Sequence, residues 1–229
     1  HHMLLDYHGM CKPAGIQRTY PNVMNFEGVN GLEQVKWMPG SSLDQVVYDV
    51  TIPFIRMVAG PMDYTPGAMR NATRQCYMPI YWDPMSQGTR CRQLAAYVIF
   101  EAPLNMLCDS PTSYNAEQEC LHFIAKIPTI WNETVALQGK VGEYVAIARR
   151  SGSEWYLGAM TDWSARTLIL NLSFLPEGNW KAEIFKDGIN ADRTACDYSK
   201  EIIDIPSDRK VQVVMAPGGG GAMRIYRSN

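Results

Sequence analysis

Apolar and polar positions follow two rhythms along this chain, and the rhythm changes near residue 132. Beyond it the period is two. Tyr144–Arg149, Trp155–Met160, Thr167–Leu172, Trp180–Phe185, Glu201–Ile205, Val211–Met215 and Ala222–Tyr226 each read as a short strand, because successive side chains of a strand face opposite sides of a sheet. Turn formers separate them at Ser151-Gly152-Ser153, Pro176-Glu177-Gly178-Asn179, Asp187-Gly188 and the run Pro217 to Gly221. That glycine run is not a phosphate loop, since no helix pattern or Lys-Ser/Thr pair follows it. Seven short strands at this spacing predict an antiparallel β-sandwich over residues 133–229.

Before the shift, short apolar runs alternate with helical patterns. Met3–Tyr7 reads as a buried strand. Ser42 suits the cap of a helix carrying Val46, Val47 and Val50. Pro53 suits the first turn of a second helix with Ile52, Phe54, Ile55 and Val58 on its apolar side. Gly60 to Gly67 reads as a strand end and turn, and Asn71 to Thr89 as a long loop. Residues 90–108 predict a buried helix, bent at Pro103. Residues 114–127 predict another, with Cys120, Phe123, Ile124 and Ile127 as its apolar face. The fold class expected is α/β plus β. Residues 3–132 would be the C-terminal part of a (β/α)8 barrel, and the antiparallel β-sandwich would follow.

Composition narrows the classes of function. The chain has 229 residues, 46% of them hydrophobic and 19% charged, with a net charge of -2, so it carries no basic footprint for nucleic acid. No apolar stretch approaches the roughly 20 residues needed to span a bilayer. The six cysteines, Cys11, Cys76, Cys91, Cys108, Cys120 and Cys196, show no metal spacing and are compatible with free thiols or with one or two disulfides. His1-His2-Met3 resembles a tag remnant. A chain opening on a core strand is expected to be the C-terminal portion of something longer, with any signal peptide outside it.

Candidate chemistry concentrates near the start. His8, Glu27 and Asp63 each directly follow a strand pattern, where a barrel carries its functional groups. Glu27 and Glu33 bracket a glycine-containing turn. By themselves, loop glutamates are most often solvated or capping, and a lone histidine is most often structural. Asp63 fits a cap for the turn before Thr65-Pro66 better than a site residue. Lys12 and Arg18 suit either pairing with site carboxylates or facing solvent. Trp37, Tyr64, Tyr81 and Trp82 suit core packing or a sugar-stacking platform.

Three strings sharpen this. His8-Gly9-Met10-Cys11-Lys12-Pro13-Ala14-Gly15-Ile16-Gln17-Arg18-Thr19-Tyr20-Pro21-Asn22 resembles glycoside hydrolase family 97. So do Asn25-Phe26-Glu27-Gly28 with Glu33, and Gly60-Pro61-Met62-Asp63-Tyr64-Thr65-Pro66-Gly67. The resemblance implies a calcium-dependent α-glycosidase. Inverting members carry His-Glu where this chain has His8-Gly9, so it implies the retaining branch, α-galactosidases included. It implies Glu33 as general acid/base, Glu27 and Glu33 as Ca2+ ligands, and His8 as a sugar contact. The nucleophile, an aspartate, would come from an earlier strand, so the chain alone is expected to be inactive. Retaining chemistry needs two carboxyl groups roughly 5 Å apart, and calcium prefers hard oxygen ligands.

The implied partners are α-galactoside oligosaccharides or polysaccharide side chains, and the implied location is periplasmic or secreted. Open barrel edges would favour self-association. An α-glucosidase and a non-catalytic carbohydrate-binding or structural module are the alternatives.

Overall fold

The computed structural model describes residues 1–37 and 44–228. Strands β1 (Leu5–Tyr7) and β2 (Val23–Phe26) pair in parallel, and Met62 adds a single parallel bridge to Phe26. Helix α1 (Gln45–Asp49) is capped by the Asp44 carboxylate, which accepts from the Val47 N–H; Ser42, the cap expected from sequence, lies outside the described residues. Strands β3 (Asn71–Ala72) and β4 (Ser86–Gln87) form a minimal parallel pair within the long loop. Helices α2 (Arg90–Ile99), α3 (Pro111–Ala116) and α4 (Gln118–Ile124) follow.

The second half is antiparallel. Strands β5 (Glu133–Lys140), β6 (Tyr144–Ser151), β7 (Glu154–Thr161), β9 (Trp180–Asp187), β10 (Tyr198–Asp204) and β12 (Gly220–Arg227) form one sheet in the order β10-β9-β12-β7-β6-β5. Strands β8 (Arg166–Asn171) and β11 (Lys210–Met215) pair antiparallel and cover one face of it. Leu168, Leu170, Val211, Val213 and Met215 point inward there, against Ala148, Trp155, Leu157 and Met223. The opposite face of the sheet packs on α2, where Val145, Ile147, Met160, Phe185 and Ala222 meet Leu94, Ala95 and Ile99. Burial on both faces explains why β7 lacks a polar side. Helix and strand approach closely: a Cβ on Gly158 would lie 2.8 Å from the Ala95 carbonyl oxygen.

Several expectations are corrected. The C-terminal part of a (β/α)8 barrel expected over residues 3–132 is not shown by this chain: parallel pairing among the described residues is limited to β1/β2, β3/β4 and the Met62 bridge. The helix expected through residue 108 ends at Ile99. Phe100 turns extended and packs its ring 4.5 Å from that of Tyr64, and the Glu101 carbonyl accepts from the Met62 N–H. The helix expected over 114–127 is two pieces broken at Glu117. Around Pro53 the chain makes two 3-10 turns, Ile52–Phe54 and Met57–Ala59. Three residues per turn rotate Ile55 and Val58 outward, and they are 60% and 79% exposed. Strand β5 is an addition, an edge whose few apolar residues carry little periodic signal. All six cysteines are free thiols.

The glycine run before β12 closes over a buried carboxylate. Asp187, at the end of β9, accepts from the Ala216 N–H at 2.9 Å and the Gly220 N–H at 3.1 Å, and a Cβ on Gly219 would strike its Oδ2. Its Oδ1 has no partner among the described residues, and burial pushes its carboxyl up to about 6. A carboxyl raised in the folded state stabilises fully below its unfolded value, and that contribution is lost as pH rises through about 6. Asp187→Asn imitates the protonated form. It should unfold like the wild type near pH 4 and be more stable above pH 6, by on the order of 2 kcal/mol in urea titrations. An equal difference at both pH values would contradict this assignment.

Candidate active site

Three candidate side chains stand one residue beyond the same rung of the parallel segments. Tyr7 is in register with Phe26, and Phe26 bridges Met62. The next residues are His8, Glu27 and Asp63. Ladder bonds fix them: Glu27 N–H donates to the Tyr7 carbonyl at 2.9 Å, and Asp63 N–H to the Phe26 carbonyl at 3.1 Å. Arg56 then gathers the carbonyls behind the site. Its guanidinium donates to those of Phe26, Glu27, Gly28, Gly60 and Pro61 at 2.9–3.1 Å. Burial pulls Arg56 below its ordinary value.

Glu33 arrives from a different element, the 3-10 turn Leu32–Lys36. That turn is anchored where the Leu32 N–H donates to the Tyr64 carbonyl at 2.9 Å. Gly28 holds the loop after β1 in place: its φ is +44°, and a Cβ there would lie 2.3 Å from the Lys12 nitrogen. Gly9 on that loop has φ +70° and open space around it.

The His8 imidazole lies among three carboxylates. Nδ1 is 2.7 Å from Asp63 Oδ2 and 3.9 Å from Glu27 Oε2, and Nε2 is 3.1 Å from Glu33 Oε1. Glu27 also accepts a hydrogen bond from the Gly9 N–H. The bond to Asp63 raises His8 above its ordinary value; burial opposes this, and the charges of Glu27, Glu33 and Asp63 reinforce it. A doubly protonated ring donates to Asp63 and Glu33 at once. Both nitrogens then face carboxylates, so a sugar contact by His8 requires one pairing to open. Ligand atoms of His8, Glu27 and Glu33 all lie within 4.8 Å of one another.

The donor set partly suits calcium. Glu27 and Glu33 offer hard oxygens, whereas the His8 nitrogen does not match a cation that takes six to eight oxygen ligands. Further oxygen donors would be required.

The structure brings His8, Glu27 and Glu33 together, and it adds Asp63, which serves the histidine rather than a turn. Sequence reading did not single out Asp6, Asn25 or Arg56. Asp6 and Asn25 are paired across β1 and β2. Both Asp6 oxygens, Asn25 Oδ1 and Asp63 Oδ1 are buried without partners among the described residues. Burial first, and the Asp63 charge second, push Asp6 up to about 6. Polar residues inside a strand that reads as buried were the available signal. Lys12 and Arg18 make no ion pair with a site carboxylate among the described residues. Tyr64 is core, its hydroxyl bonded to Asp49. Trp37, Tyr81 and Trp82 are exposed, and Trp82 and Glu33 both line a pocket of about 430 Å3.

Comparison with known proteins agrees with the motifs. Residues 130–226 match the family model described as "Glycosyl-hydrolase 97 C-terminal, oligomerisation", and residues 1–29 match that of "Glycoside hydrolase 97". A retaining alpha-galactosidase of Bacteroides thetaiotaomicron is 59% identical over 97% of this chain and 34% of its own length. A probable retaining alpha-galactosidase of Streptomyces bingchenggensis is 34% identical over 82% of this chain and 27% of its own. Among solved structures, a glycoside hydrolase family 97 enzyme from Pseudoalteromonas, in complex with panose, superposes with a TM-score of 0.87. It is 34% identical, covering 99% of this chain and 35% of that one. The chain thus spans about a third of the length of the relatives it matches.

With a chelator present, His8 should titrate at lower pH in Asp63→Asn than in the wild type, because the carboxylate that favours its charged form is gone. Imidazole NMR measures this, and identical titration curves would remove the pairing from the site.

Proposed function

The chain belongs to glycoside hydrolase family 97, and from that membership we propose that it carries the proton donor and calcium carboxylates of a retaining α-galactosidase. The observation carrying this reading is the meeting of Glu33, Glu27 and His8 around one small volume. Gly9 supplies no carboxylate, which favours the retaining over the inverting route. In the reading, β1, β2 and the Met62 segment are the last strands of a barrel completed by a longer protein, which also supplies the attacking aspartate.

Glu33 protonates the departing glycosidic oxygen and later takes a proton from water. Its carboxyl is steered by His8, whose Nδ1 is held by Asp63. Glu27, fixed by the Gly9 N–H, is the stationary cation ligand, and Glu33 is the second. Bound calcium would supply positive charge that orients these carboxylates and substrate hydroxyls. The donor sugar is an α-galactoside of an oligosaccharide or polysaccharide side chain, met in the periplasm or after secretion.

In the complete protein, Glu33→Gln should lower kcat/KM on alkyl α-galactosides by roughly 10²–10⁴-fold. Aryl substrates with good leaving groups should lose far less, because they need little protonation. Equal losses on both would remove Glu33 from the acid role. Calcium should raise the melting temperature of the wild type through mass action. Glu27→Gln should weaken that shift, and an unchanged calcium response would exclude Glu27 as a ligand. This chain assayed alone should not turn over an aryl α-galactoside.

A further inference from the structure

Glu33 is placed by its backbone more than by its side chain. Its side chain is 26% exposed, and among the described residues only His8 forms an ion pair with its carboxylate. The turn that carries it therefore decides where the carboxyl group stands. Residues 28–31 lead into that turn without regular structure, so their position depends on what binds their backbone groups.

One short helix does much of this binding. Gln45, Tyr48 and Asp49 of α1 are spaced by three and four, which puts them on a single helix face. The Asn30 N–H donates to the Tyr48 hydroxyl at 2.9 Å, and the Gln45 amide nitrogen lies 3.3 Å from the Asn30 carbonyl oxygen. The same nitrogen lies 2.6 Å from the Tyr64 hydroxyl and 2.9 Å from Asp49 Oδ1, and the Tyr64 hydroxyl donates to Asp49. Tyr64 then meets the turn itself. Its carbonyl accepts from the Leu32 N–H, and a Cβ on Gly31 would lie 3.0 Å from that oxygen.

Gln45, Asp49 and Tyr64 are each at most 2% exposed. Burying an amide and a carboxylate costs free energy that apolar side chains would not. What such a network supplies is resistance to displacement, because moving one member strands its partners away from water. Arg92 extends it, lying 3.3 Å from Asp49 while donating to the Thr161 carbonyl of β7 at 2.7 Å.

We propose that Tyr48, Asp49 and Tyr64 are positioning residues that set the turn carrying Glu33, and that Arg92 refers this setting to the β-sandwich. The inference rests on the reading of Glu33 as the general acid. These residues act through the backbones of Asn30 and Leu32. A general acid must lie within hydrogen-bond reach of the leaving oxygen. A misplacement of about 1 Å can cost on the order of 10²-fold in rate. A loosened turn should therefore harm protonation before it harms any other step.

The test is made on the complete protein, with kcat/KM measured on an alkyl α-galactoside and on an aryl α-galactoside with a good leaving group. Tyr64→Phe removes the hydroxyl and keeps the ring that packs on Phe100. Tyr48→Phe removes the acceptor of the Asn30 N–H at a half-buried position. In each variant the alkyl-to-aryl ratio should fall about tenfold or more. Leu170→Ala, a truncation in the sandwich core, should lower the melting temperature and leave the ratio unchanged. An unchanged ratio in either tyrosine variant, or an equal fall in Leu170→Ala, overturns the proposal. Should Tyr64→Phe fail to fold, Tyr48→Phe decides alone. Glu33→Gln measured alongside separates the two readings. If it lowers the ratio and the tyrosine variants do not, only the positioning role fails; if it spares the ratio, the acid reading fails and the positioning role falls with it.

Discussion

The fully buried Arg92–Asp49 pair joins the parts of this chain that must agree. Arg92 Nε lies 3.3 Å from Asp49 Oδ2, and the guanidinium donates to the Thr161 carbonyl at 2.7 Å and that of Val46 at 2.6 Å. One side chain therefore spans α2, the end of β7 and α1. Asp49 also accepts from Gln45 at 2.9 Å and from the Tyr64 hydroxyl. Tyr64 follows Asp63, and its carbonyl anchors the turn bearing Glu33. The path from β-sheet to site is thus a chain of hydrogen bonds rather than a distant packing effect. A buried ion pair offers little net stability after desolvation, but it penalises any arrangement that separates its partners.

The site uses a different economy of parts. Parallel strands present successive residues in register, so three neighbours on one rung deliver an imidazole and two carboxylates to one end. The carbonyls exposed at those ends need donors, and Arg56 provides them from behind. Like charges so placed would repel, and His8 between them lowers that cost. Buried oxygens of Asp6, Asn25 and Asp63 lack partners among the described residues. Unsatisfied buried polar groups are uncommon, so they mark where additional structure or solvent would be accommodated.

Legibility followed contact range. The β strands after residue 140 were readable because β8 and β11 alternate buried and exposed positions, while β6, β7 and β12 are strand-length apolar runs bounded by turn formers. Strand β5 escaped because an edge buries little, leaving Val135 and Leu137 as its main apolar marks. Helix α2 was found but overextended, since Leu107 and Ala102 continue an apolar pattern while Phe100 and Glu101 are claimed by Tyr64 and Met62. In the site, Glu27, Glu33 and His8 were visible through motif resemblance. Asp63 was misjudged because nothing local says that a histidine 55 positions earlier receives it.

Sequence alone determined the period-two half, the end-of-strand placement of His8, Glu27 and Asp63, and the missing carboxylate at Gly9. These are properties of residue order, expressed through backbone periodicity and the chemistry of a side chain. Only the tertiary structure decided that α2 would end at Ile99, that Glu33 would meet His8 Nε2, and that Trp82 would be left bare beside a pocket. Those outcomes depend on which distant surfaces exclude water from one another, and no local pattern of residues encodes that partner choice.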